Sequence, residues 1–102
     1  MKDRILGLLG LANRGGNLIY GDSIYYALPK NKVRLVILAT DASANTTKKV
    51  MDKTSTYLAS VVSFATKAEL GHALGKGDLA VVGIMDANLA IKVKTLLKDG
   101  DI

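Results

Sequence analysis

The stretch that most constrains this 102-residue chain is Val33–Ser43, V-R-L-V-I-L-A-T-D-A-S, an almost unbroken apolar run that stops abruptly in Thr40-Asp41-Ala42-Ser43. With β-branched Val36 and Ile37 at its centre, it has the pattern of a strand covered on both faces. It is expected to be the central strand of a sheet. Both faces then need helices, and the small polar residues at its carboxyl end can cap the next one. Ligands of open α/β sheets gather outside the carboxyl ends of strands, so a site is expected at that edge.

The flanking segments alternate in type. Ile5, Leu8, Leu9 and Ala12 recur at i, i+3, i+4 and i+7, which predicts an amphipathic helix over residues 2–14, stopped by Gly15-Gly16. Residues 17–20 read as a short edge strand. Gly21-Asp22-Ser23 offers a turn and two candidate caps for a short helix that Pro29 closes. After the central strand, a helix from about Ser43 to Tyr57 would turn Val50, Met51, Thr54 and Leu58 inward. Its outward face, with Lys48, Lys49, Asp52 and Lys53, is basic.

Residues 61–64 form a third predicted strand, and Thr66-Lys67-Ala68-Glu69 has the form of a capping box at the start of a helix reaching about Leu74. Gly75-Lys76-Gly77-Asp78 then makes a turn into a fourth strand, Leu79 to Ile84. Asp86 caps a last helix with Leu89, Val93, Leu96 and Leu97 inward, and Gly100 follows its end. Strands separated by helices imply crossover connections and an α/β fold of three layers, in one domain over residues 1–102.

Composition narrows the function classes. The chain has 49% hydrophobic and 23% charged residues and no repeat or low-complexity segment, so one ordinary globular core is expected. It has no cysteine, which excludes a disulfide, a thiolate nucleophile and a cysteine metal cage, and fits a reducing compartment. The apolar runs are far shorter than a membrane span and the first residues lack a secretory pattern, so a cytoplasmic protein with no membrane partner is expected. The net charge of +5 is concentrated in residues 1–34, where six basic residues face two acidic ones. A basic surface suits an anionic partner such as nucleic acid, although ordinary solubility explains this modest charge equally well.

Catalytic groups are scarce. Gly71 to Lys76 has three residues between its glycines where a phosphate loop needs four, and Gly75 to Ala80 enters a strand where a dinucleotide motif must open a helix. His72, the one imidazole, falls on the presumed surface of a short helix. Asp41 could act as a base, but capping the helix that begins near Ser43 explains it with fewer assumptions. The remaining carboxylates are single and no metal cluster is visible, so no enzyme, cofactor or metal site is expected. Tyr20, Tyr25 and Tyr26 lie near Arg14, Lys30 and Arg34, the mixture of rings and cations that RNA-binding surfaces use; at least one of Tyr25 and Tyr26 is expected in the core.

Four segments together resemble the YlxQ-type bacterial proteins, which belong to the superfamily of ribosomal proteins that bind kink-turn RNA. They are Leu11-Ala12-Asn13-Arg14-Gly15-Gly16; Leu18-Ile19-x-Gly21; residues 35–46 with Asp41-Ala42-Ser43-x-Asn45-Thr46; and Thr66-Lys67-x-x-Leu70-Gly71-x-Ala73-x-Gly75-Lys76. The resemblance spans nearly the whole chain. It implies a three-layer α-β-α sandwich around a four-stranded mixed sheet, with structured RNA, ribosomal RNA above all, as partner, ribosome association, and no DNA. It implies two RNA-binding places, Gly21-Asp22-Ser23 and the loop Gly75-Lys76-Gly77-Asp78-Leu79, beside Arg14 and with Asp41 in the Asp-Ala-Ser signature. Asp22-Ser23 stand where kink-turn readers typically carry Asn-Glu, Tyr26 stands near their Lys, and Asn17 stands where a basic residue is frequent. The resemblance thus implies weaker or differently specific RNA binding; the rival expectation is a protein-interaction module on the same scaffold.

Overall fold

The computed structural model describes residues 2–100. Its elements run α1 (Lys2–Arg14), β1 (Leu18–Tyr20), α2 (Ser23–Ala27), a 3-10 turn (Leu28–Lys30), β2 (Leu35–Leu38), α3 (Ala44–Thr56), β3 (Val61–Ser63), α4 (Lys67–Ala73), β4 (Val81–Ile84) and α5 (Ala87–Gly100). The sheet order is β1-β4-β2-β3, with β1/β4 and β4/β2 antiparallel and β2/β3 parallel. A helix, α3, makes the crossover between the parallel pair, as parallel neighbours require. This is the expected three-layer sandwich with a four-stranded mixed sheet, and β2 is one of its two interior strands.

Successive side chains of a strand point to opposite faces, and all four residues of β2 are buried, so β2 feeds two cores. Leu35 and Ile37 join Ile5, Leu9, Phe64, Leu70 and Val93 beneath α1, α4 and α5. Val36 and Leu38 join Ile24, Leu28, Val50 and Val81 beneath α2 and α3. On β4 the second face carries Gly83, where a Cβ would meet Ile19 and Ile24 at 3.0 and 3.2 Å, so the absence of a side chain lets α2 sit close to the sheet.

Local chemistry explains most helix boundaries. Ser43 accepts from the Thr46 amide at 3.1 Å to cap α3. The Thr66/Glu69 capping box is fully formed, with the Thr66 amide donating to the Glu69 carboxylate at 2.9 Å and the Glu69 amide to the Thr66 hydroxyl at 3.1 Å. Asp86 accepts from the Asn88 amide at 2.9 Å and caps α5. Buried Thr54 satisfies its hydroxyl by donating to the Val50 carbonyl at 2.8 Å.

Several expectations need correction. Met51 and Leu58 face solvent, 48% and 92% exposed, because the buried stripe of α3 is held by Val50 and Thr54 and Leu58 lies past the helix end. Leu58 takes a left-handed conformation, φ 55°, and the bonds Leu58 N–H to Ser55 and Ala59 N–H to Thr54 close the end of α3 around it. Helix α2 does end at Ala27, before Pro29, as expected; the chain then continues through Pro29 as a 3-10 turn that left-handed Asn31 stops. Strand β4 begins at Val81, two residues later than expected, and α5 includes Gly100. Neither Tyr25 nor Tyr26 is fully buried: Tyr25 packs partly against the second core, and Tyr26 is 75% exposed.

Candidate nucleic-acid interface

The pairing Tyr20 with Val82 sets one end of the sheet, where β1 exits into Gly21 and β4 is entered from Leu79 and Ala80. Gly21 takes φ +63°, which glycine adopts without strain, and turns the chain directly into α2. Asp22 occupies the cap position of α2 but with helical dihedrals (φ −65°, ψ −20°), and no side chain caps this end. Its side-chain oxygen therefore does not fold back onto the helix amides, so the expected caps from Asp22 or Ser23 are not made. Both residues are exposed instead.

Across the sheet end, the loop 75–79 is clamped onto α4. The Lys76 amide donates to the Gly71 carbonyl at 2.8 Å, and the Leu79 amide to the Lys67 carbonyl at 3.1 Å. A Cβ on Gly71 would collide with the Gly77 carbonyl, so only glycine allows this approach. The two segments meet in one cleft of about 250 Å³, lined by Gly21, Asp22 and Tyr25 on one side and Asp78, Leu79, Ala80 and Val81 on the other, with Thr46 of α3 at its edge.

Cations stand around this cleft. The Lys76 ammonium lies 5.2 Å from the centre of the Tyr20 ring, and the Lys49 ammonium 4.3 Å from that of Tyr25, both within cation–π range. The Tyr20 hydroxyl donates to Asn13, whose amide donates to the Leu74 carbonyl at 3.4 Å, so β1, α1 and the end of α4 hold one another behind Lys76. Arg14 follows on α1 and lines a separate cleft with Asn13, exposed His72 and Gly75. Burial, and secondarily the Asp22 carboxylate, push the Tyr25 hydroxyl pKa above its ordinary value, so the phenol stays neutral and able to donate.

Gly21, Asp22, Asp78 and Leu79 thus line the cleft; Lys76 stands in the loop that walls it, and Arg14 lines the separate cleft between α1 and α4; Ser23 and Gly77 are exposed in the same two segments without lining it. Two residues stand apart. Asn17 is at the other end of β1, where its amide donates to Ala12 and its carbonyl accepts from Met85, about 13 Å from Gly21 at strand spacing. Asp41 does not cap α3: its carboxylate accepts from the Lys67 amide at 2.8 Å and so caps α4 from outside that helix. Lys67 then carries Leu79 on its carbonyl, which puts Asp41 behind the loop as its support. Thr46 and Lys49 lie outside the sequence-predicted site, and Tyr25 figures in it only as one of the rings near cations. The signal for Lys49 was the basic outward face of α3, whose nearness to α2 only the tertiary structure reveals.

Among the described residues no group of three His, Cys, Asp or Glu is placed to hold a metal ion. What the surface offers is hydrogen bonding, ring faces and positive charge at the rim of a narrow, partly apolar cleft.

Residues 3–94 match the Ribosomal protein L7Ae/L30e/S12e/Gadd45 family. The chain is 39% identical over 98 residues to the RNA-binding protein YlxQ of Enterococcus faecium, covering 95% of this chain and 94% of that protein. It is 38% identical over 91 residues to the RNA-binding protein YlxQ of Bacillus subtilis (strain 168), covering 88% and 91%. A solved structure of a protein of unknown function from Bacillus halodurans C superposes with a TM-score of 0.88 at 36% identity, over 93% of this chain and 97% of that one. The resemblance read from the sequence is borne out.

Proposed function

Because the chain belongs to the Ribosomal protein L7Ae/L30e/S12e/Gadd45 family, we propose that it is a non-enzymatic RNA-binding protein that docks a structured, kink-turn-like RNA at the cleft between the Gly21–Ser23 turn and the Gly75–Leu79 loop. The observation that carries this reading is the meeting of those two segments, more than fifty residues apart in sequence, in one cleft, with Lys76 in one of them and resting over the ring of Tyr20. Two similar proteins bear the name RNA-binding protein, which supports the same partner class.

In this reading the flanking cations hold phosphates and set orientation, while the cleft reads base edges and shape. Leu79 offers an apolar contact, and Tyr26, exposed on α2, a face on which a base can stack. Asp22 and Ser23 stand where the resemblance places Asn and Glu, and Asp22 and Asp78 place two negative charges at the cleft, so recognition is weaker than a basic cleft would give. Ribosomal RNA in the cytoplasm is the partner we assign. The rival protein-docking reading called for an exposed apolar patch beside the start of α2; among the exposed large apolar residues described Tyr26 alone lies on α2, and Met51 and Leu58 lie further along α3 and past its end.

The reading is tested by Arg14→Gln combined with Lys76→Gln. Losing two phosphate contacts should weaken RNA binding and flatten its dependence on log salt by about 1.5 units of slope. Unchanged affinity and slope would remove this surface from consideration.

A further inference from the structure

We infer that Lys49 and Lys53 of α3 form a second, backbone-holding contact that continues from the cleft and guides the RNA strand leaving it; this inference rests on the cleft being the RNA site. Thr46 lines the cleft, and Lys49 and Lys53 follow it at i+3 and i+7, one stripe down the helix. At the helical rise, the stripe from Thr46 to Lys53 is about 10 Å long. That length matches about three phosphates of one strand in a duplex.

Charge identifies the partner as a polyanion. Among the described residues Lys48, Lys49 and Lys53 enter no ion pair, and Asp52 is the one acid on this face. Lys49 and Lys53 are like charges at i and i+4, an arrangement that disfavours an isolated helix and that a phosphate between them would relieve. The one acid at pairing spacing, Asp52 at i+3 from Lys49 and i+4 from Lys48, leaves this face with two cations in excess. Position adds a second argument, since the Lys49 ammonium rests on the ring of Tyr25, the residue that also walls the cleft. The stripe is therefore joined to the cleft through a side chain common to both, and one of its two cations is already held against it.

The test compares two kinds of RNA, a bend with both arms trimmed back and the same bend with one arm or the other extended by a helical turn. The proteins are wild type, Lys49→Gln/Lys53→Gln, and Lys92→Gln/Lys98→Gln, which removes equal charge from α5 on the opposite side of the sheet. The α3 variant should lose about tenfold in affinity and about 1.5 units of salt slope for one extended RNA, and bind the trimmed RNA as wild type does. Equal binding of both RNAs by wild type and variant would overturn the stripe and leave the cleft reading standing. An equal loss on the trimmed and extended RNAs, or from the α5 variant as from the α3 variant, would overturn it too. If wild type binds neither RNA, the cleft reading and the stripe fall together.

Discussion

Gly71 on α4 and Gly77 in the following loop touch backbone to backbone, with no room at Gly71 for a side chain. A methyl group there would push against a carbonyl that belongs to a loop held by hydrogen bonds on both sides. Gly71→Ala should therefore cost about 1–3 kcal/mol by overpacking and shift the loop, reducing RNA affinity as well. Gly77→Ala meets open space and should leave stability nearly unchanged. Denaturant midpoints of the two variants check the contrast.

Asp41 joins the end of β2 to the start of α4 through the Lys67 amide, at 2.8 Å. Asp41→Ala removes a cap acceptor and should destabilise by about 1 kcal/mol, read in chemical denaturation. Asp41→Asn keeps an acceptor oxygen and should retain most of the stability and the RNA affinity of wild type. A large affinity change in Asp41→Asn at full stability would make Asp41 an RNA contact instead of a support.

Left-handed Leu58 ends α3 in the position where α1 and α4 use Gly16 and Gly75. Its side chain is 92% exposed, so removing it forfeits little packing, while a left-handed conformation is unfavourable for leucine. Leu58→Gly should stabilise the protein by about 0.5–1 kcal/mol, which in a domain of this size raises the melting temperature by several degrees.

Glu69 is held below its ordinary pKa of 4.5, first by the Thr66 amide and then by the Lys2 ammonium. A carboxyl lowered in the folded state contributes stability above its unfolded value and loses it as pH falls through the folded value. The stability advantage of wild type over Glu69→Gln should therefore be present near neutral pH and shrink below about pH 4.5. Melting curves of both proteins across that range measure it.

What was legible in the sequence were features written within a few residues. The spacing of Ile5, Leu9 and Ala12 fixed α1, the two-sided apolar run fixed β2, and Thr66/Glu69 and Asp86 declared their helix starts. Asp41 and Lys67 are 26 residues apart, and nothing local says which helix a carboxylate at a strand end will cap. Met51 and Leu58 were misplaced because an apolar residue marks a candidate for burial, while the helix phase and its stopping point decide which candidates are buried. Four of the predicted site residues line one cleft because β1 and β4 pair, a long-range fact that periodicity does not carry; the family resemblance named the two segments without that pairing.

The most direct test is fluorescence anisotropy of the purified protein with a kink-turn RNA and with a control whose tandem G·A pairs are broken, at two salt concentrations. The account predicts preferential binding of the intact bend at both salts, and loss of that preference in Leu79→Asp, which places a charge in the cleft. Equal, steeply salt-dependent binding of both RNAs, or no binding of either, would contradict it.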